Sequence, residues 1–261
     1  MNIKLLPILL LLLIGCKTET TTDKEEQETI TKNDIEISNP KITPIQHATF
    51  VMTWDDQVFY IDPTGGKEAF GAQPAPDVIL VTDIHGDHFN VETLEQVVDS
   101  AQIIAPQAVF DKMPVDLQLK TELLNNSENL SINGFDISAI PMYNMTEERK
   151  NFHVKGRGNG YVVSKDDYDV YISGDTEDIP EMRNLENIDL AVICMNLPYT
   201  MDTEAAADAT LEFKPNKVVP YHYRGRKDGE AFYHDVEGFR SMVNSKDANI
   251  EVELMDWYPN S

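Results

Sequence analysis

The stretch TDIHGDHF, residues 82–89, follows directly on the apolar run DVILV, residues 77–81. The apolar run predicts a buried strand, and Gly86 predicts a tight turn at its end. Together they aim Asp83, His85, Asp87 and His88 at one point. Imidazole nitrogen and carboxylate oxygen are the donors that bind zinc or a similar divalent ion. Asp and Gly also favour ordinary turns, so a lone Asp-x-His is a loop residue in most contexts. Here two of the chain's six histidines fall within six positions, and that density favours a metal site.

Outward from this point, strand-like runs alternate with helical stretches. Thr49 to Met52 and Val58 to Ile61 read as a hairpin turning at Trp54 to Gln57, and Val78 to Val81 as a strand. Val91 to Val98 reads as a helix, and Ile103 to Ile104 as a short strand. Ile132 to Ile140, Gly160 to Val163, Val170 to Ile172, Leu190 to Met195 and Val218 to Val219 read as further strands, and Thr203 to Phe213 as a helix ending before Pro215. Strands with helices layered outside them predict two sheets sandwiched between helices. No Gly-rich phosphate loop is present, and no repeat at a solenoid period. Polar residues recur where the strands end: His47, Asp175 in SGDTE (173–177), and His222 in VVPYHY (218–223). With His153, five of the six histidines lie at or near such junctions. In layered folds, active sites gather on the loops at one edge.

The 261 residues, 41% hydrophobic, are enough for one large domain or two small ones. A formal net charge of −24 argues against binding a nucleic-acid backbone, which needs a Lys/Arg surface. Residues 1–15 read as an export signal: Lys4, then an apolar stretch Leu5 to Ile14, then Leu13-Ile14-Gly15-Cys16 in the form of a lipobox. About 20 apolar residues are needed to span a bilayer, so the segment reads as a cleaved leader with lipid on Cys16. Residues 17–34 are almost entirely polar and read as a flexible acidic tether running to about position 40. This places the domain, 41–261, outside the cytoplasm of a bacterium on a lipid anchor. Cys194, the only other cysteine, has no internal disulfide partner and reads as a buried strand residue.

The ordered motifs QHATF (46–50), IDP (61–63), TDIHGDHF (82–89), IPMYN (140–144), SGDTE (173–177), LPYTM (197–201) and VVPYHY (218–223) resemble the metallo-β-lactamase superfamily. The resemblance is to the branch of ascorbate-6-phosphate lactonases and N-acylphosphatidylethanolamine-hydrolysing phospholipase D. It implies an α/β fold, a four-layer αββα sandwich, holding one or two divalent ions, usually zinc, at one sheet edge. The family's HxHxDH motif falls on Asp83, His85, Asp87 and His88. One ion would then take Asp83 and His85, the other Asp87, His88 and His222, with Asp175 bridging. An aspartate where the family has its first histidine moves the site toward manganese or iron. The family's middle histidine falls near Asn144, and His153 is the candidate replacement.

The implied chemistry is hydrolysis of an ester-like bond, lactone or phosphodiester, of a small-molecule substrate by water activated between the ions, with Asp87 or Asp83 handling its proton. No GxSxG serine nucleophile is present. Tyr199, Tyr221, Tyr223, Arg224 and Arg226 are candidates for the substrate mouth, arginine being suited to phosphate or carboxylate. His47 is a candidate partner of a ligand. The alternative is a non-catalytic, metal-binding surface lipoprotein that retains the fold.

Overall fold

The computed structural model describes residues 39–259. The leader, Cys16 and most of the tether fall outside them. Six strands form the first sheet in sequence order: β1 (Lys41–Gln46), β2 (Thr49–Trp54), β3 (Gln57–Ile61), β4 (Val78–Leu80), β5 (Gln102–Ala105) and β6 (Thr121–Leu123). The first three pair antiparallel and the last four run parallel. Alternation along each strand decides what it buries. Phe59 and Ile61, with Val78 and Leu80, face the second sheet. Their neighbours Val58, Tyr60, Ile79 and Val81 face a separate core with Leu94 and Val97 of helix α1 (Val91–Val97), and with Val109 of α2 (Gln107–Phe110) and Leu117 of α3 (Val115–Gln118).

The second sheet contains β7 (Asn129–Ile132), β8 (Phe135–Met142), β9 (Gly158–Lys165), β10 (Tyr168–Ile172), β11 (Leu190–Cys194), β12 (Lys217–Tyr221) and, at the far edge, β15 (Glu251–Val252). β10, β11, β12 and β15 are parallel. Helices α5 (Thr203–Phe213) and α6 (Val236–Lys246) cover its outer face through Phe213, Phe239 and Val243. The short α4 (Pro180–Arg183) precedes β11, and a hairpin of β13 (Arg224–Lys227) and β14 (Glu230–Tyr233) stands apart from both sheets. The expected four-layer sandwich is thus the observed one.

The predicted hairpin forms as β2 and β3, turning at Asp55 and Asp56. The helix predicted from Val91 is capped by Asn90, whose Oδ1 accepts from the Thr93 amide at 2.8 Å. One expectation is corrected. Ile132 to Ile140 is not a single strand but parts of β7 and β8, because Asn133 and Gly134 both take positive φ, 52° and 82°, and reverse the chain in a hairpin turn. Cys194 is buried as expected.

The two sheets meet squarely under the 82–89 loop. Tyr161 of β9 donates from Oη to the Val81 carbonyl at 2.7 Å, tying the end of β4 to the opposite sheet. The parallel strands β3, β4, β10, β11 and β12 therefore end along one edge.

Candidate metal centre

Each element reaching that edge delivers one or two donors. His47 follows β1, Asp62 follows β3, and the loop after β4 carries Asp83, His85, Asp87 and His88. The β8–β9 connection carries Asn144, His153 and Arg157, while Asp175 follows β10, Asn196 follows β11 and His222 follows β12. His47, Asp62 and His222 hold φ of 51°, 47° and 48°. Non-glycine residues in this region store about 1–3 kcal/mol each and cluster at functional sites. Here the left-handed turn directs each side chain back over the strand ends.

Asp175 is at the centre. Its Oδ2 lies 3.3 Å from His88 Nε2 and 3.2 Å from His153 Nε2, and its Oδ1 lies 3.6 Å from His222 Nε2. Asp87 Oδ2 lies 3.4 Å from His222 Nε2 and 3.3 Å from His47 Nε2. On the other side Asp83 Oδ2 lies 2.8 Å from His85 Nδ1 and 4.0 Å from His153 Nε2. His88 Nε2, His153 Nε2, His222 Nε2 and Asp175 Oδ1 are all buried without a hydrogen-bond partner among the described residues. Buried polar atoms are almost always paired, so four unpaired ones converging on one point form a donor set that a cation would satisfy. Three ligand groups lie within such reach: Asp83, His85 and His153; His88, Asp175 and His222; and His47, Asp87 and His222.

The opposite ring nitrogens explain why those lone pairs point inward. His88 Nδ1 donates to Asp62 Oδ2 at 2.7 Å, and Asp62 is itself held by the Thr82 amide at 2.7 Å and hydroxyl at 2.6 Å. His153 Nδ1 donates to the Tyr199 carbonyl at 3.2 Å, and His222 Nδ1 lies 2.7 Å from Asn196 Nδ2, which holds the ring in place without itself setting an inward lone pair. Such partners fix the tautomer and aim of a ligating imidazole. Burial disfavours a charged His88, yet Asp175, Asp62 and Asp87 outweigh it and raise its pKa well above the usual histidine range. The same negative field favours a dication. Burial acts against Asp175 too, but His222 and His88 hold its carboxyl well below the usual range. For His47, burial and the neighbouring His222 lower the imidazole to about 4, so it is neutral at pH 7.

Asn144 is tied into its own loop, while its Oδ1 has no hydrogen-bond partner among the described residues. Its Nδ2 donates to the carbonyls of Arg149 and Tyr199 at 2.9 and 2.6 Å, and its amide to the His153 carbonyl at 2.9 Å. It shapes the loop that brings His153 in, so of the two candidates His153 is the one beside Asp175. Glu177 braces the same loop, accepting from the Met145 and Thr146 amides at 2.7 and 2.8 Å and from Arg149 Nε at 2.6 Å.

A cleft of about 560 Å³ opens over these atoms, lined among others by His47, Asp87, Phe152, Tyr199, Arg224 and Arg226. Three expectations are corrected here. Tyr221 does not line the mouth: it is fully buried on β12, edge-on to Phe50 and Trp257, because this strand is covered on both faces. Tyr223 packs against Tyr258 and Tyr233. Asp83 is not free to move protons, since it is fully buried and both its oxygens are engaged, Oδ1 by Arg157 Nε at 3.0 Å and Oδ2 by Arg157 Nη2 and His85 at 2.8 Å. Burial would raise its carboxyl, but the hydrogen bonds from His85 and Arg157 prevail and lower it. Sequence reasoning missed Asp62, Asn196, Arg157 and Glu177. Only the IDP and SGDTE motifs hinted at two of them.

An αββα sandwich with a carboxylate–imidazole cluster at the strand ends is the architecture of metal-binding β-lactamase-like domains. A family model described as the beta-lactamase superfamily domain matches residues 41–222, and the chain belongs to the metallo-β-lactamase superfamily. It is 30% identical over 216 residues to a UPF0173 metal-dependent hydrolase of Thermococcus onnurineus, covering 79% of this chain and 93% of that one. A counterpart from Pyrococcus horikoshii is 29% identical over the same shares. A solved structure from Parabacteroides distasonis carrying a metal-dependent hydrolase assignment matches with a TM-score of 0.72 at 35% identity, over 83% of this chain and 93% of that one.

Asp62→Asn keeps the Thr82 contact but weakens the hold on His88. Divalent-ion affinity is expected to fall roughly 10- to 100-fold, read by chelator competition, with melting of the metal-free protein as the check on folding. Unchanged affinity would contradict the orienting role.

Proposed function

We propose that this chain is a metal-dependent hydrolase of an ester-like bond in a small anionic substrate, of the lactone or phosphodiester class, working at a two-ion centre. The observation that carries this reading is the convergence of the unpaired buried atoms of His88, His153, His222 and Asp175 at the floor of an open cleft. Asp83, His85 and His153 would hold one divalent ion, and Asp87, His88 and His222 the other, with Asp175 between them. The donors are mixed nitrogen and oxygen, which suits zinc and also admits manganese or iron. When bound, such ions acidify water to near-neutral pKa and withdraw charge from a carbonyl or phosphoryl oxygen.

The chain's own residues supply the rest. Asp87 is the most exposed carboxylate of the set lining the cleft, with a side chain 43% exposed against 4% for Asp175. Burial works against its charge, but the neighbouring His88, His222 and His47 keep its carboxyl far below the usual range. It thus stays an acceptor that orients the attacking water and passes its proton on. His47 lies against His222, the rings tilted by 32° with centroids 3.8 Å apart, and meets the Tyr258 hydroxyl through Nδ1 at 2.7 Å, which leaves Nε2 beside Asp87.

The arginines support an anionic substrate. Of the six in the chain, Arg149, Arg157, Arg183 and Arg240 pair with carboxylates. Arg224 and Arg226 make no such pair among the described residues, although acidic residues outnumber basic ones 45 to 21. Both line the cleft, two positions apart on β13 and so on one face of it. The Arg226 amide is held by the Leu197 carbonyl at 3.2 Å. Phe152, Tyr199 and Tyr233 give the opposing walls apolar surface for the rest of the molecule.

Metal-loaded protein is expected to turn over bis(p-nitrophenyl) phosphate or a carboxylated lactone and to lose this with chelator. Asp87→Asn should lower kcat about 10²- to 10⁴-fold, and Arg224→Ala should raise KM for the anionic ester about 10-fold while leaving neutral p-nitrophenyl acetate unchanged. Turnover that survives both chelation and Asp87→Asn would contradict the reading. On the sequence of residues 1–34 alone we also place the domain outside the cytoplasm on a lipidated Cys16. Labelled fatty acid should enter the unmutated chain and not Cys16→Ala, and equal labelling would remove the anchor.

A further inference from the structure

Asp83 stands where the superfamily pattern has a histidine, and in this chain Arg157 pairs with it. The Asp83 carboxylate is fully buried and gripped in a fork, Nε to Oδ1 at 3.0 Å and Nη2 to Oδ2 at 2.8 Å. Bidentate guanidinium–carboxylate pairs carry geometric specificity as well as energy. A buried carboxylate without a countercharge is strongly unfavourable. Formally, Asp83 and Arg157 sum to zero, so the uncancelled ligand charges are those of Asp87 and Asp175, the same two that a neutral histidine at position 83 would leave.

The chain around Arg157 is shaped for this contact. Gly156 turns with φ +85°. At Gly158 a Cβ would fall 2.8 Å from the Thr82 carbonyl oxygen and 3.3 Å from Asp83 Oδ1, so only glycine lets β9 start close enough to lay Arg157 beside Asp83. Arg157 Nη2 also donates to the Phe152 carbonyl and stands 3.5 Å from His85 Nε2. The segment that delivers Arg157 delivers His153 four positions earlier, so ligand and countercharge arrive on one loop.

We infer that Asp83 and Arg157 act as one neutral oxygen-donor ligand in place of the histidine, with Arg157 a positioning residue that aims Asp83 Oδ2 between His85 and His153. This rests on the two-ion reading above. Without Arg157 nothing holds Oδ1, and the carboxylate is left with the His85 Nδ1 contact at 2.8 Å alone, so it is free to swing about that contact and loses its aim at the ion. With a histidine at 83 and Arg157 retained, an unbalanced guanidinium faces the ion and repels it.

The test is zinc titration of the metal-free protein against a chromogenic chelator. The unmutated chain should take up two equivalents. Arg157→Ala and Asp83→His should each weaken the second equivalent roughly 10- to 100-fold, and the double variant should regain it, a strongly non-additive cycle. Arg157→Lys keeps the charge but not the fork and should stay weakened. Melting of the metal-free variants reports folding, and Arg157→Gln carries the same test if Arg157→Ala does not fold. Two equivalents bound by Arg157→Ala as tightly as by the unmutated chain, or losses that simply add in the double variant, overturn the inference alone. Fewer than two equivalents in the unmutated chain overturns the two-ion reading and this inference with it.

Discussion

Buried imidazole nitrogens and a buried carboxylate oxygen meet at the edge of the two sheets without hydrogen bonding, and the surrounding structure depends on that arrangement. Each such group, if left unpaired, opposes folding by about 1–3 kcal/mol. Three site residues hold φ near +50°, which adds further strain. Asp62, Asn196 and the Tyr199 carbonyl fix the outward nitrogens, so the rings cannot turn away to relieve the frustration. A cation bound there converts these opposing terms into a favourable one and draws both sheets, through β3, β4, β10 and β12, onto one point.

Much of this was legible in the sequence, in specific places. The donors in 82–89, Asp175 and His222 announce themselves because each follows an apolar run and so falls where a strand ends. The sandwich follows from runs too apolar to face water on either side. What was not legible depends on pairing across distance. Arg157 sits between two glycines and reads as a turn, yet it meets a carboxylate 74 positions away. Asp62 reads as the end of a strand, and only the fold shows that it holds His88. Tyr221 was misplaced because a tyrosine beside a ligand suggests a pocket wall, whereas its strand is covered on both faces. The Asn133–Gly134 turn was visible in principle, and the apolar residues on both sides concealed it.

Charge is distributed against the grain of the composition. A chain of net charge −24 leaves two arginines without acidic partners among the described residues, and both border the cleft. The buried carboxylates of the centre would repel an anionic substrate, and the β13 arginines offset that repulsion at the entrance. Arg157 deals with the same problem in the interior, where it cancels the one carboxylate that takes the place of a neutral ligand. The hydrolase reading and the metal-ligand assignment therefore share one electrostatic logic: enough negative charge to hold cations, and no more than two cations can balance.

The most direct test of the central claim is anomalous X-ray diffraction from crystals of the metal-loaded protein, collected on either side of the metal absorption edge. Two anomalous peaks roughly 3.5–4 Å apart, bridged by Asp175 with one ion against Asp83, His85 and His153 and the other against Asp87, His88 and His222, are the predicted result. A single peak away from Asp175, or none at full metal loading, would contradict the account.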